Sequence, residues 1–482
     1  MRIRTILYII GGLLCAVGGT LSLPIVCSLY YGDAGLVPLL VTLAAMLCCG
    51  GLLMLCFRRH LSREAPLNHR EGAATVAVAW ISAGLFGALP YIVAGTFPSV
   101  TDAVFESVSG FTTTGSSVLG NIEIVPPGLL MWRAMTHWLG GMGIIVLSLA
   151  ILPYLGTGGM QLYRAEVPGP SPDKLTPRLK DTAAILWQVY VLLTVVQILF
   201  LLAGEMNLYE AICHTFATVA TGGFSTRNAS LGAYSAYSQW VCTAFMFLAG
   251  ANFVLHFRLL RGEKGVFRND GEFRFYALLV GAAVLIVFLQ RLGAETDIEA
   301  ALRASAFQVI SIITTTGFAT ADYARWAPLS QLLLVLLMFV GGCAGSTSGG
   351  VKNMRVLLLG KQLYHEVFAL VHPHAVRHIK LNRATVPAAV ITGCASFLAL
   401  YALIWILSSL LLALAGLDVL TACTAALTCL SNVGPGLGTV GPAENFAHLP
   451  GLAKWVLSAD MLLGRLELFT LFILCIPEFW RR

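Results

Sequence analysis

Twelve residues in four short stretches have the types and spacing to hold a dehydrated monovalent cation. They are Thr113-Thr114-Gly115 in FESVSGFTTTGSS, Thr221-Gly222-Gly223 in TFATVATGGFST, Thr315-Thr316-Gly317 in SIITTTGFAT and Asn432-Val433-Gly434 in CLSNVGPGLG. Glycine takes φ > 0 without a Cβ clash, so its peptide can turn a carbonyl toward a shared axis. Thr adds hydroxyl oxygens at little bulk. None of the four cores contains an acid. Neutral carbonyl ligands suit K⁺ or Na⁺, whereas Ca²⁺ and Mg²⁺ favour carboxylates. A ring of carbonyls can replace the hydration shell of such an ion. The central glycines recur at intervals of 108, 94 and 117 residues, which reads as one module repeated four times. The plainer reading is a small-residue patch for helix packing. Such patches sit inside long helices, and these stretches follow short ones.

The elements that must position them are membrane helices. The chain has 482 residues, 57% hydrophobic and 11% charged, with a mean hydropathy of +0.80. Soluble domains carry about 25% charged residues, so this is an all-α polytopic membrane protein. The net charge of +6 does not imply nucleic acid, because the basic residues lie in short loops and form no stripe. The twelve cysteines lie almost entirely in apolar runs and read as small buried hydrophobes. The first apolar run has the look of a signal peptide but no clear cleavage site, and it reads as a retained helix.

Apolar segments long enough to cross a bilayer fall near 6–30, 35–57, 73–96, 129–155, 183–204, 238–260, 274–292, 328–359, 386–415 and 453–478. Shorter runs at 102–112, 208–220, 299–314 and 418–431 cannot span it, and they fit pore helices that enter part-way and return as a loop. Two leading transmembrane helices (1–70) are therefore followed by four helix–pore loop–helix repeats, at 71–160, 161–262, 263–365 and 366–482, arranged as a pseudo-tetrameric, channel-like pore. With both termini cytoplasmic, the inner segments 1–5, 58–72, 156–182, 258–274, 352–385 and 481–482 hold 23 of the 30 lysines and arginines. That asymmetry places the four loops on the outer side. The outer side carries Asp102, Glu106, Glu123, Glu205, Glu210, Glu295, Asp297 and Glu299, an expected acidic vestibule that would concentrate cations. The short helices aim their partly negative C-terminal ends at the pore, which favours a cation again.

A second candidate site lies below the loops. The span 328–359 contains Gly341-Gly342-Cys343-Ala344-Gly345-Ser346-Thr347-Ser348-Gly349-Gly350, and five glycines in ten residues cannot hold a helix. A flexible loop there could plug a pore; a kink for close packing is the plainer reading. Gly140, Gly141, Gly143, Gly250 and Gly464 lie at matching depth, with no interruption as severe. Arg465 sits near the middle of the last span, where an ionisable residue is costly unless it is paired or functional. Asp460 and Glu467 are five and two residues away, which is not helix-facing spacing. Arg465 is therefore expected to face the pore and to bond loop carbonyls. Lys352, just past the loop, reads as a marker of the cytoplasmic boundary, with a part in the gate as the alternative. His137, His214 and His256 show no ligand spacing and read as core or interface histidines.

The chain resembles the Trk/Ktr/HKT superfamily of potassium transporters, and within it the potassium uptake membrane subunits of bacterial Trk systems (TrkH/TrkG type). Carrying the resemblance are SGFTTTGSS (109–117), HWLGGMGIIVLSLAILP (137–153), GTGGMQLYRAEVPGP (156–170), ATGGFSTRN (220–228), TTTGFATADY (314–323), GCAGSTSGGVKNMR (342–355) and SNVGPGLG (431–438), together with the two leading helices. It implies that Thr113–Gly115, Thr221–Gly223, Thr315–Gly317 and Asn432–Gly434 form a moderately selective K⁺ filter. It also implies that Gly345, Ser346, Thr347, Ser348, Gly349 and Gly350, with Arg465, form a gate. Relatives that prefer Na⁺ carry serine at the place of Gly115. The fourth core departs most, with Asn-Val where two others have Thr-Thr. The resemblance further implies the bacterial cell inner membrane with its lipid, a homodimer, and a cytosolic nucleotide-binding subunit (TrkA-like) docking on the basic loops 156–182, 258–274 and 352–385.

No substrate chemistry is implied. The sequence has no Walker A motif and no G-x-G-x-x-G between a strand and a helix, so no organic cofactor is expected and K⁺ is cargo. Two other classes are weighed against a passive K⁺ path. A transporter coupling K⁺ to H⁺ or Na⁺ needs a titratable relay, for which Asp460 and Glu467 are the acids at hand. A membrane-surface enzyme or scaffold would rest on HPHAVRH (372–378), which reads more simply as a solvated basic linker.

Overall fold

The computed structural model describes residues 1–58, 69–143, 179–293, 297–374, 378–382 and 384–466, with the single positions 468, 474, 476 and 477. Several expectations lie outside them: residues 59–68 and 156–178 of the expected inner segments, Glu295, Glu467, the middle of HPHAVRH, residues 144–155 of the expected span 129–155 and most of 467–478 in the expected span 453–478. The regular secondary structure of the described residues is helical except for a two-stranded ladder pairing Lys380–Leu381 with Ala384–Thr385. Among the described residues, six helical stretches are long and apolar enough to cross a membrane: Ile3–Tyr31, Leu36–Phe57, Arg70–Ala94, Ala184–Leu202, Gly271–Arg291 and Val390–Leu414.

The first two pack through glycine. A Cβ at Gly11 would meet the Gly50 carbonyl oxygen at 2.6 Å, and a Cβ at Gly50 would meet that of Gly11 equally closely. In lipid, helices gain little from burying apolar surface, so such backbone approach supplies the attraction through dispersion contacts. Arg2 ties the N-terminal helix to the third one through Glu71, at 2.8 Å.

Four short helices follow: Val100–Phe111, Leu208–Val219, Ile298–Ile313 and Val419–Leu430. Twelve helical residues (the length of three of them) reach about 18 Å, well short of the roughly 30 Å hydrocarbon core. Each begins at a side-chain cap. Ser99 accepts from the Asp102 amide, Asn207 from Glu210, Asp297 from Glu299 and Asp418 from Thr421. These caps satisfy the first free N–H groups and set where each helix starts.

The helix after each short one is interrupted. Pro127–Trp138 runs into a π-helical turn, Leu139–Gly143. Ala236–Ala249 meets Phe253–Leu260 at 98°. Pro328–Val340 stops at Gly341, and helix resumes at Asn353. Gly451–Arg465 ends in a turn at Leu466. The span expected over 238–260 is thus present as two helices that meet at a sharp bend. Its break falls at Gly250-Ala251-Asn252, where a Cβ on Gly250 would strike the Thr314 side chain and the Tyr276 hydroxyl. Gly141 occupies the matching place, where a Cβ would strike the Tyr190 hydroxyl and Ala220; one position earlier, a Cβ on Gly140 or Gly464 would strike the carbonyl of Phe111 or Leu430, at the C-terminal ends of the first and fourth short helices. Glycine lets these helices pass directly beneath the short helices, and that crowding bends the chain there.

Candidate functional site

All four short helices end in the same way. The residues after them, Thr113, Thr221, Thr315 and Asn432, are left-handed, with φ of 53°, 55°, 57° and 56°. Two residues later Gly115, Gly223, Gly317 and Gly434 are left-handed again, with φ of 81°, 82°, 79° and 107°. In each loop the first of these residues donates its N–H to the carbonyl three positions back. The next residue donates to the carbonyl five positions back, and all eight bonds measure 2.7–3.2 Å. This double bond is the Schellman ending of a helix, which normally places Gly or Asn at the left-handed position. Three β-branched threonines there each carry strain of about 1–2 kcal/mol. Asn432, the apparent outlier of the sequence, is the one residue suited to that conformation.

The four loops are adjacent in cyclic order. A Cβ added to Gly115 would collide with the Gly222 carbonyl oxygen, one on Gly223 with that of Thr316, one on Gly317 with that of Val433, and one on Gly434 with that of Thr114. The twelve residues therefore form one ring. Among the described residues, nothing donates to the carbonyls of 113–115, 221–223, 315–317, 432 or 433; the Gly434 carbonyl alone accepts, from Ser116 Oγ at 3.0 Å. Unbonded carbonyls at membrane depth are tolerated only where they line a polar path.

Residues to which sequence reasoning gave another role, or none, brace the ring from behind. Seven positions before the left-handed residue stand Glu106, His214, Gln308 and Ala425. Glu106 accepts from Ser117 Oγ and the Val118 amide. His214 Nε2 meets Ser225 Oγ at 2.9 Å. Gln308 donates to the Phe318 carbonyl at 3.3 Å. Each polar side chain thus clamps the strand that leaves its own loop. The regular offset was a signal the sequence offered.

The acidic vestibule is corrected. Glu106 is fully buried and bonds Arg133 Nε at 2.6 Å, and Asp102 is buried against Lys454. Glu210 pairs with Arg227 and Glu299 with Arg303, and Asp297 caps a helix. Partial burial pulls the Glu205 carboxyl upward, but bonds from the Ser235 hydroxyl and amide hold it below the usual carboxylate range. Most of these acids therefore hold the scaffold together. Of the histidines, His214 has the bonds given above, His256 Nε2 meets the Leu248 carbonyl at 2.9 Å, and His137 has no hydrogen-bond partner among the described residues.

Beneath the ring lies the glycine-rich loop. The Cys343 amide bonds the Gly250 carbonyl, and the Phe253 amide bonds the Gly345 carbonyl. Ser346 Oγ bonds the Cys343 carbonyl. The Ala344 amide reaches Glu272 at 2.6 Å. Thr347 Oγ1 donates to Val219 at 3.0 Å and Ala249 at 3.4 Å. The Gly349 amide donates to Thr315 Oγ1, 2.7 Å away in the third core. Gly349 also lies against the Ser431 carbonyl and Ser348 against Gly342, while Gly350 returns to Gly341. Arg465 donates to the Thr347 carbonyl at 2.9 Å and to the Gly140 and Gly141 carbonyls at 2.7 and 3.2 Å. One guanidinium thereby joins the last helix, the loop and the first module. Asp460 is bonded by Ser408 instead. Lys352 is not a boundary marker: it is buried, left-handed at φ 77°, and its ammonium donates to the Ser348 carbonyl.

Such a fold and site define a multi-pass membrane protein with four re-entrant loops around one axis. The profile of the family described as "TrkH: Cation transport protein" matches residues 40–482, and the chain belongs to that family of transport proteins. It is 42% identical over 488 residues to "Trk system potassium uptake protein TrkH" of Halomonas elongata, with 100% of each chain covered. It is 42% identical over 490 residues to the Escherichia coli protein of the same name, again with 100% of each covered. It is similar throughout to the "Crystal Structure of the Potassium Transporter TrkH from Vibrio parahaemolyticus", with a TM-score of 0.89, 38% identity and 100% of each chain covered.

Proposed function

We propose that this protein carries K⁺ into the cell across the bacterial inner membrane. The ring of Thr113–Gly115, Thr221–Gly223, Thr315–Gly317 and Asn432–Gly434 serves as the filter. Loop 345–350 and Arg465 close the path below it. The observation that carries this reading is the set of carbonyls, repeated in four cyclically adjacent loops, to which, apart from that of Gly434, nothing among the described residues donates. Such oxygens match a monovalent cation shedding water. Passage is down the electrochemical gradient, driven by roughly 2.3 kcal/mol per charge per 100 mV. Both termini face the cytoplasm, the chain pairs as a homodimer in lipid, and a TrkA-like nucleotide-binding subunit docks on the inner basic loops. The relatives' place in Trk systems supports the partner subunit and the lysine and arginine asymmetry supports the orientation, while the homodimer rests on the family resemblance alone.

The test is rubidium flux into liposomes containing purified protein, wild type beside Gly317→Ser. A serine Cβ at that position strikes the Val433 carbonyl, so the K⁺/Na⁺ preference should fall. Silence with the cytosolic partner present, or an unchanged preference, defeats the reading. Uptake coupled to H⁺ or Na⁺ has one observation in its favour: Asp460 is buried, and its Oδ2 has no hydrogen-bond partner among the described residues. Flux that requires a proton gradient in every variant would establish that alternative.

A further inference from the structure

Loop two of the ring lacks the backing that loops one and three share. In those loops a hydroxyl rung stands behind the core, Thr112 Oγ1 to Thr114 Oγ1 and Thr314 Oγ1 to Thr316 Oγ1, both at 2.8 Å. The same two places in loop two are Ala220 and Gly222, which have no hydroxyl. The gap is filled from another module. The imidazole of His137 is fully buried, and a Cβ on Gly222 would fall on its ring atoms. The imidazole stacks on Phe224, with centroids 4.0 Å apart and planes 16° apart. Phe224 in turn carries the Arg133 guanidinium 3.4 Å from its centroid, and Arg133 is held by Glu106.

His137 stands four residues before Gly141. Met246, Met338 and Met461 stand four residues before Gly250, Gly342 and Arg465, and all three are buried. Three modules thus use a flexible apolar side chain there, and the module facing Gly222 uses a flat, rigid, polar ring. Neither ring nitrogen has a hydrogen-bond partner among the described residues, a costly arrangement for a side chain that served only as filler.

We infer that His137 is a specificity-determining positioning residue of the filter: its ring takes the volume of the missing side chain at 222 and holds that peptide in register with the other three. The inference rests on the ring being the ion filter. Removing the imidazole frees the Gly222 peptide and admits Na⁺. Gly222→Ala forces a methyl group into the ring of His137 and damages the same property. The two residues share one space, so the double variant should repair part of what each single variant breaks.

The experiment measures K⁺/Na⁺ selectivity in proteoliposomes for His137→Ala, His137→Met, Gly222→Ala and His137→Ala with Gly222→Ala, with Gly317→Ser as control. The selectivity ratio should fall roughly tenfold in His137→Ala and in Gly222→Ala, equivalent to about 1.4 kcal/mol of discrimination. His137→Met, which fills the space without a flat ring, should fall between. The double variant should exceed either single one. Should His137→Ala or Met proteins elute as folded with an unchanged ratio while Gly317→Ser shifts it, the positioning role is wrong and the filter stands. A double variant no better than Gly222→Ala alone also overturns it. If Gly317→Ser shifts nothing either, the filter reading itself has failed.

Discussion

Replacing Arg465 with alanine should open the path beneath the ring. The described bonds of Arg465 join three parts of the protein: Thr347 of the glycine-rich loop at 2.9 Å, and Gly140 and Gly141 of the first interrupted helix at 2.7 and 3.2 Å. Only the first of these bonds holds the loop to the last helix. A hydrogen bond to a charged group contributes about 1.5–3 kcal/mol, and the lower end applies because the guanidinium is only part-buried. Losing about 1.5 kcal/mol from the closed arrangement raises the population of the open one roughly tenfold, provided closed dominates at rest. The fixed positive charge is lost as well, which acts in the same direction for a cation. The assay is rubidium uptake into liposomes at matched protein content, wild type beside Arg465→Ala and Arg465→Lys. Lysine keeps the charge but lacks the planar fork that spans three carbonyls, so its flux should lie between. Unchanged or reduced flux in Arg465→Ala protein that elutes as a folded species would refute the latch.

Further predictions follow from neighbouring contacts. Thr347→Val keeps the shape but loses the donor to Val219 and Ala249; loosening the loop by about 1 kcal/mol should raise flux several-fold, measured in the same liposomes. Glu106→Gln leaves buried Arg133 without its counter-charge, at a cost of about 3–5 kcal/mol; the melting temperature in detergent should drop sharply, and an unchanged one would deny the brace. Thr221→Asn replaces a strained left-handed threonine with a residue suited to φ of 55°; thermal stability should rise by about 1 kcal/mol with K⁺ flux retained, as read by melting and flux on one preparation.

Much of this organisation was legible in the chain alone, because it depends on local chemistry and on length. Short helices are recognised by being too short to span, and their start points by Ser99, Asn207, Asp297 and Asp418. The loops show themselves through glycine at Gly115, Gly223, Gly317 and Gly434, since only glycine accepts that backbone beside a neighbour's carbonyl. The break at 341–350 shows through glycine density. What tertiary structure decided is who faces whom. Glu106 reads as an outer acid until Arg133, brought from another helix, meets it in the interior. Lys352 reads as a boundary until the loop folds over its ammonium. The bend at Gly250 depends on how closely the third loop's Thr314 approaches, and no residue in 238–260 breaks the helix by its own propensity as proline would. The strain at Thr113, Thr221 and Thr315 is invisible in propensity, because it is imposed by hydrogen bonds and by the closure of four distant segments into one ring. Residue type and spacing determine which segments enter the membrane and how they end; contact between modules roughly a hundred residues apart determines the charges, bends and strain at their meeting point.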